Sequence, residues 1–187
     1  LMCFAEETGE FLWQLIVPKL DEELSYKDWP DVGIVSPPTV DADRAYLMDN
    51  RGTVLCLDVE GQHNGNDGPF LNEGHSMVSP GDAPIKVSSR DGDIIWKYDL
   101  EVELGVHQHD SAHCSILVHG PFLYICTSNG VDATHRRIIA PEAPSLIVLD
   151  KKTGRLVARD RVPIGPRIIH CTWSSPSVTK VDGRSLI

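Results

Sequence analysis

Of the chain's 187 residues, 41% are apolar, enough to pack a core and too many for a disordered segment. The formal net charge is −10, and the 17 basic residues are scattered, adjoining only at Arg136-Arg137 and Lys151-Lys152. This argues against a nucleic-acid partner, whose phosphates need a concentrated basic surface. No apolar run reaches the roughly 18 residues of a membrane span. Both ends break off mid-pattern, so the lack of a visible signal peptide says nothing about export.

No window of about a dozen residues keeps an i, i+3, i+4, i+7 apolar stripe free of Gly and Pro, so short strands are expected throughout. In chain order, the first is 11–16 (FLWQLI), entered through the turn in "AEETGEFLW" (5–13). There Gly9 supplies the left-handed backbone that a tight hairpin needs, and Phe11 and Trp13 fall on one face. Strands follow at 34–41, 44–49 (RAYLMD) and 53–58 (TVLCLD). Residues 59–92, rich in Gly, Asn, Asp, Pro and Ser, read as a long insertion, and the oxygen-rich stretch at 58–68 lacks the spacing of a Ca²⁺-binding loop and reads as a solvated loop. A strand at 93–98 (DIIWKY) carries Trp96.

The polar stretch "HQHDSAH" (107–113) then precedes strands at 114–119 and 121–127 (PFLYICT), joined at His119-Gly120. A second insertion, 131–144, holds Pro141 and Pro144. Strands at 145–150 (SLIVLD) and 155–160 (RLVARD) are joined by Thr153-Gly154, repeating the Thr8-Gly9 step, and the last candidate strand is 175–180. Five cysteines, Cys3, Cys56, Cys114, Cys126 and Cys171, form no C-x-x-C, so zinc-ribbon, thioredoxin and c-type haem signatures are missing. Most read as buried thiols; Cys114 and Cys126 flank one turn and fall on neighbouring strands, either bonded or free.

Self-comparison reveals a repeat. Residues 36–52 shifted by 78 fall on 114–130, matching Val40 with Val118, Tyr46 with Tyr124, Leu47 with Ile125 and Gly52 with Gly130. A shift of 138 matches Pro38 with Pro176 and Val40 with Val178. The unit is four antiparallel strands with a turn glycine and, in two of three cases, a tryptophan, which is the pattern of a β-propeller blade. The expected architecture is an all-β partial propeller. It comprises a blade end (1–20), a blade at 31–100 with insertion 59–92, a blade at 107–162 with insertion 131–144, and a blade start at 168–187.

In "AEETGEFLW", through its Thr-Gly-x-x-x-Trp, and in degenerate form in "LDKKTGRLVA", the chain resembles the tryptophan-docking motif Ala-x-(Asp/Glu)-x-x-Thr-Gly-x-x-x-Trp of the quinoprotein-like (pyrroloquinoline-quinone-type repeat) β-propeller family. With "SNGVDATH", "APEAPSLIVLDKKTG" and "HCTWSSPSV", the chain looks like a bacterial, planctomycete-like subgroup. The resemblance implies blade docking through Trp13, Trp96, Gly9 and Gly154, and a propeller with more blades than these. It also implies a periplasmic or cell-envelope location, with other proteins or the remaining blades as partners.

The expected function is a non-catalytic binding or assembly scaffold, with no cofactor. The alternative is part of a pyrroloquinoline-quinone-dependent oxidoreductase or electron-transfer assembly using Ca²⁺; the adjacent-cysteine disulfide of such enzymes has no counterpart here, and no catalytic residue or metal ligand is assigned. The candidate polar site is a channel mouth formed by His107, His109, Asp110, His113 and His170, each ahead of an innermost strand. Asp31 holds the corresponding place in the preceding blade. Histidine and aspartate at this density suit Zn²⁺ or Cu²⁺, but no spacing matches a specific motif, and imidazoles also cap strands.

Overall fold

A computed structural model describes residues 1–19, 33–108, 114–132, 134–162, 164–169 and 173–187. These residues form four antiparallel sheets in chain order. The first is a pair, β1 (Met2–Phe4) and β2 (Phe11–Gln14). The second is the meander β3 (Thr39–Asp41), β4 (Arg44–Met48), β5 (Thr53–Asp58) and β6 (Asp93–Asp99). The third is the meander β7 (Leu117–His119), β8 (Phe122–Cys126), β9 (Leu146–Asp150) and β10 (Leu156–Arg159). A hairpin of β11 (Thr179–Val181) and β12 (Arg184–Leu186) follows. Helix is confined to short pieces: α1 (Glu73–Ser76) within the first insertion, α2 (Leu100–Leu104) after β6, and single 3₁₀ turns at Gly61–His63 and Gly165–Arg167.

The sheets stack face to face because the second is apolar on both sides. Strand side chains alternate between faces. Ala45, Leu47, Leu55, Leu57 and Ile94 therefore bury against Trp13 and Leu15 of the first sheet. Tyr46, Met48, Val54, Cys56 and Trp96 bury against Leu123, Ile125, Ile147 and Leu149 of the third. Two cores thus lie in the two seams that flank the second sheet, as in a β-propeller. The molecule is an all-β partial propeller of four-stranded antiparallel blades.

Register confirms the repeat in detail. Thr39 faces Tyr46 and Leu117 faces Tyr124, an offset of 78 on both strands. In the last hairpin Val181 faces Arg184, as Asp41 faces Arg44, so that offset is 140 rather than the 138 read from Pro38 and Val40. The two-residue difference keeps every side chain on its face, which is why the apolar pattern does not reveal it. A β-bulge recurs where the third and fourth strands meet: after Cys3 opposite Trp13, after Cys56 opposite Trp96, and between Leu156 and Ala158 opposite Leu149 and Val148. A bulge re-aims the side chain beside it, here the indoles of Trp13 and Trp96.

Each indole reaches the next sheet. Trp13 Nε1 donates to Val59 O at 2.9 Å and Trp96 Nε1 to Lys151 O at 3.2 Å, both carbonyls lying one residue beyond the Asp that ends a third strand. Tyr46 Oη donates to the same Lys151 carbonyl at 3.3 Å, and Lys151 Nζ pairs with Asp41. The rings lie flat on glycine: a β-carbon at Gly61 would come within 2.7 Å of Trp13 Cγ, and one at Gly154 within 2.5 Å of Trp96 Cε3.

The two Thr-Gly turns are one structure used twice. Gly9 N donates to Ala5 O and Ala5 N to Glu10 O, both at 2.8 Å; Gly154 N donates to Asp150 O and Asp150 N to Arg155 O, both at 2.9 Å. The glycine φ values are 71° and 69°. A β-carbon on Gly9, unlike one on Gly154, meets no atom within 4 Å. Both Gly→Ala substitutions strain a left-handed turn by about 1 kcal/mol, but only Gly154→Ala also displaces an indole. Gly154→Ala is therefore expected to lose about 1–3 kcal/mol more than Gly9→Ala in urea unfolding; equal losses would count against the seat.

Candidate functional site

Of the five residues expected at the channel mouth, His107 lies in the described structure; His109, Asp110, His113 and His170 fall outside the described residues, as does Asp31. His107 and Gln108 sit on the strap that leaves α2. That helix is capped at both ends: Asp99 accepts from Glu101 N and Val102 N at 3.0 Å, and Gly105 closes it in the left-handed conformation. Val106 is buried beneath the strap.

The strap crosses two equivalent turns. Gln108 Nε2 donates to Asn50 O and its Oε1 lies over Gly52, where a β-carbon would come within 2.7 Å. The half-buried His107 ring packs on Gly130 in the next sheet, where a β-carbon would collide with the imidazole. The offset that pairs Gly52 with Gly130 thus marks the two places where this polar segment rests on the blades.

Asp49 and Asn129, one at each turn, are bound to main chain. Asp49 Oδ1 accepts from Arg51 N at 2.8 Å and Thr53 N at 2.9 Å. Asn129 Nδ2 donates to Ala140 O and Ala143 O, and its Oδ1 accepts from Ser145 Oγ at 2.9 Å, closing the second insertion. Asp132 accepts from Arg136 N and Arg137 N, which holds its carboxyl below the usual carboxylate range; Thr153 does the same for Asp150 through its hydroxyl and amide. Cys114 Sγ accepts from Cys126 N at 3.2 Å and donates to Cys126 O at 3.3 Å, while Cys126 is a free thiol, so the two form no disulfide. Burial pushes the Cys56 thiol up to about 12.

A second polar cluster lies where the sequence reads as a solvated loop. Across β5 and β6, Asp58 is placed opposite Asp93, the position where Arg155 follows the turn in the third sheet. Carboxylate oxygens of Asp58, Asp67 and Asp93 lie within 4.8 Å of one another. Asp93 Oδ2 accepts from Asp67 N at 3.0 Å, and Glu73 Oε2 from Asn66 Nδ2 at 2.9 Å. Burial, with the charges of Glu73, Asp58 and Asp67, raises the Asp93 carboxyl above its usual range. The one legible signal for this cluster was the run of Asp, Asn and Gly itself. Asp93 stands 26 residues from Asp67 and further from Asp58, so the constellation exists only once the strands pair.

Fold and site define a β-propeller segment in which the turn carboxylates Asp49, Asp132 and Asp150 are engaged with main chain. No protein-family model and no curated protein sequence matches the chain. Among solved structures, it is similar to BamB from Moraxella catarrhalis, with a TM-score of 0.43 and 16% identity over 86% of this chain and 30% of that one. It is also similar to the quinohemoprotein alcohol dehydrogenase from Comamonas testosteroni, with a TM-score of 0.28 and 14% identity over 68% of this chain and 21% of that one. The chain thus spans less than a third of either. No helix among the described residues is long and apolar enough to cross a membrane.

Asp49 gives the turn a pH signature. Burial raises its carboxyl to about 6, against the opposing pull of the Thr53 and Arg51 amides. A carboxyl raised in the folded state is protonated more readily folded than unfolded. Its cost is therefore full above pH 6 and fades as the pH falls from about 6 to about 4. Asn keeps the oxygen acceptor without the charge. Asp49→Asn should gain stability relative to wild type at pH 7.5 compared with pH 4, by up to about 2–3 kcal/mol in urea unfolding; a difference constant across that range would contradict the assignment.

Proposed function

We propose that the chain is a section of a bacterial, planctomycete-like, quinoprotein-like β-propeller that acts as a non-catalytic binding or assembly scaffold in the periplasm or cell envelope. The observation that carries this reading is the surface of the third sheet and the last hairpin. The second sheet buries both its faces, whereas β8 and β9 bury only alternate residues, leaving Tyr124, Cys126 and Val148 half-buried. All of β10, β11 and β12 is exposed, including Val157, Val181 and Leu186. A sheet face and edge of this kind attract another sheet or an apolar protein surface. In this reading the partners are other proteins or further blades. His107, with His109, Asp110, His113 and His170, makes a second, polar contact surface at the channel mouth, and Trp13, Trp96, Gly9 and Gly154 serve as tryptophan-docking positions.

The competing assignment is part of a pyrroloquinoline-quinone-dependent oxidoreductase, and titration with that quinone in the presence of Ca²⁺ separates the two. The scaffold reading expects no stoichiometric chromophore, and one bound quinone per chain would overturn it. In sedimentation, it also expects concentration-dependent association that Val157→Lys weakens without lowering the melting temperature; a monomer at every concentration would count against the exposed sheet as a contact surface.

A further inference from the structure

We propose that Asp58, Asp67 and Asp93 form a binding site for a hard divalent cation of the Ca²⁺ class, which closes the neck of the 59–92 insertion.

The register creates the problem that a cation solves. In the third sheet the turn after Asp150 is closed by Arg155; in the second, the same geometry sets Asp58 against Asp93 at the two ends of a long excursion. Like charges directly opposite on paired strands destabilise the pair. The excursion then returns a third carboxylate, Asp67, to the same place by bonding its amide to Asp93 Oδ2. Asn66, its neighbour, holds Glu73.

Most of this charge is buried. Asp93 is 0% exposed, Glu73 1% and Asp58 4%. Arg44 answers part of this charge, its Nη1 lying 2.7 Å from Asp58 Oδ2 and 3.2 Å from Asp43. Among the described residues, two oxygens here remain buried with no hydrogen-bond partner, Asp93 Oδ1 and Glu73 Oε1. Asp93 Oδ1 belongs to a carboxylate of the cluster itself. Burying a carboxylate oxygen without a donor or a counter-charge is costly, and a bound cation relieves that cost.

Ligand type and geometry bear on the ion. Ca²⁺ binds oxygens at about 2.3–2.6 Å in flexible geometry, whereas Mg²⁺ needs a near-ideal octahedron at about 2.1 Å and sheds water reluctantly. Carboxylate oxygens within 4.8 Å of one another can share one such ion. All three ligands are carboxylates, which suits a hard cation and not a soft one. The exposed side of Asp67 leaves room for water to complete the shell. The ion would tie the insertion to β5 and β6 at the seam where Trp13 rests on Gly61.

The test uses the purified chain stripped with a chelator and titrated with CaCl₂ by calorimetry, with melting followed in parallel. One Ca²⁺ per chain is expected, with a melting temperature that rises with Ca²⁺ and rises less with Mg²⁺. Asp67→Asn alters an exposed side chain, so its melt in chelator should match wild type or exceed it, while Ca²⁺ affinity falls about tenfold or more. Glu73→Gln, which removes the neighbouring charge and keeps the bond to Asn66, should also weaken binding. No heat of binding and no shift in melting at millimolar Ca²⁺ would overturn the proposal, as would Asp67→Asn binding Ca²⁺ as tightly as wild type.

Discussion

The structure depends on an indole laid across the turn of the neighbouring sheet. Four-stranded sheets of this size cannot stand alone, since each has two apolar faces and little to cover them. Trp13 and Trp96 solve the problem twice in the same way. Each stands in the last strand of its sheet beside a bulge, reaches across the seam and donates one hydrogen bond to a carbonyl just past a strand-ending Asp. The glycine beneath the ring is required for space as much as for its backbone angle. At the second seam a single residue, Lys151, gathers the interaction: its carbonyl takes both Trp96 and Tyr46, and its ammonium takes Asp41. The exposed ion pair adds little; the buried rings and the shared carbonyl supply most of the stabilisation.

Much of this was legible in the sequence because it follows from local rules. β5 coincides with the expected 53–58, since an apolar run ending in Asp and bounded by turns has one reading. The Thr-Gly turns and the offset of 78 likewise come from residues close together along the chain. What was not legible needed pairing. β1 was missed because a three-residue strand at a chain end has too few residues to show alternation. α2 was missed because five residues carry no helical period, although Asp99 and Gly105 are its caps. The offset of the last hairpin was misread by two because apolar periodicity is blind to an even slip. The acidic neck was read as a solvated loop because Asp58 and Asp93 are neighbours only across a sheet.

The same contrast runs through function. The polar side chains Asp49, Asn129, Asp132 and Asp150 are engaged with backbone amides and carbonyls and build turns. The carboxylates that keep unpartnered oxygens sit at the root of the insertion, where the repeat has been interrupted. Elaboration in a repeat fold concentrates where one unit departs from the others, and here the departure brings both a structural problem of like charges and the ligands to resolve it. The repeated parts, by contrast, make sheet surface: buried on both faces of the second sheet, exposed along β10 and the last hairpin.

The most direct test of the seam is a double-mutant cycle between Trp96→Ala and Gly154→Ala. If the indole lies on the glycine, the added methyl is tolerated far better once the ring is gone. The two losses should then fall short of additivity by about 1–3 kcal/mol. Losses that add within about 0.3 kcal/mol would mean that the two residues do not touch, and the stacking of one sheet on the next would need another explanation.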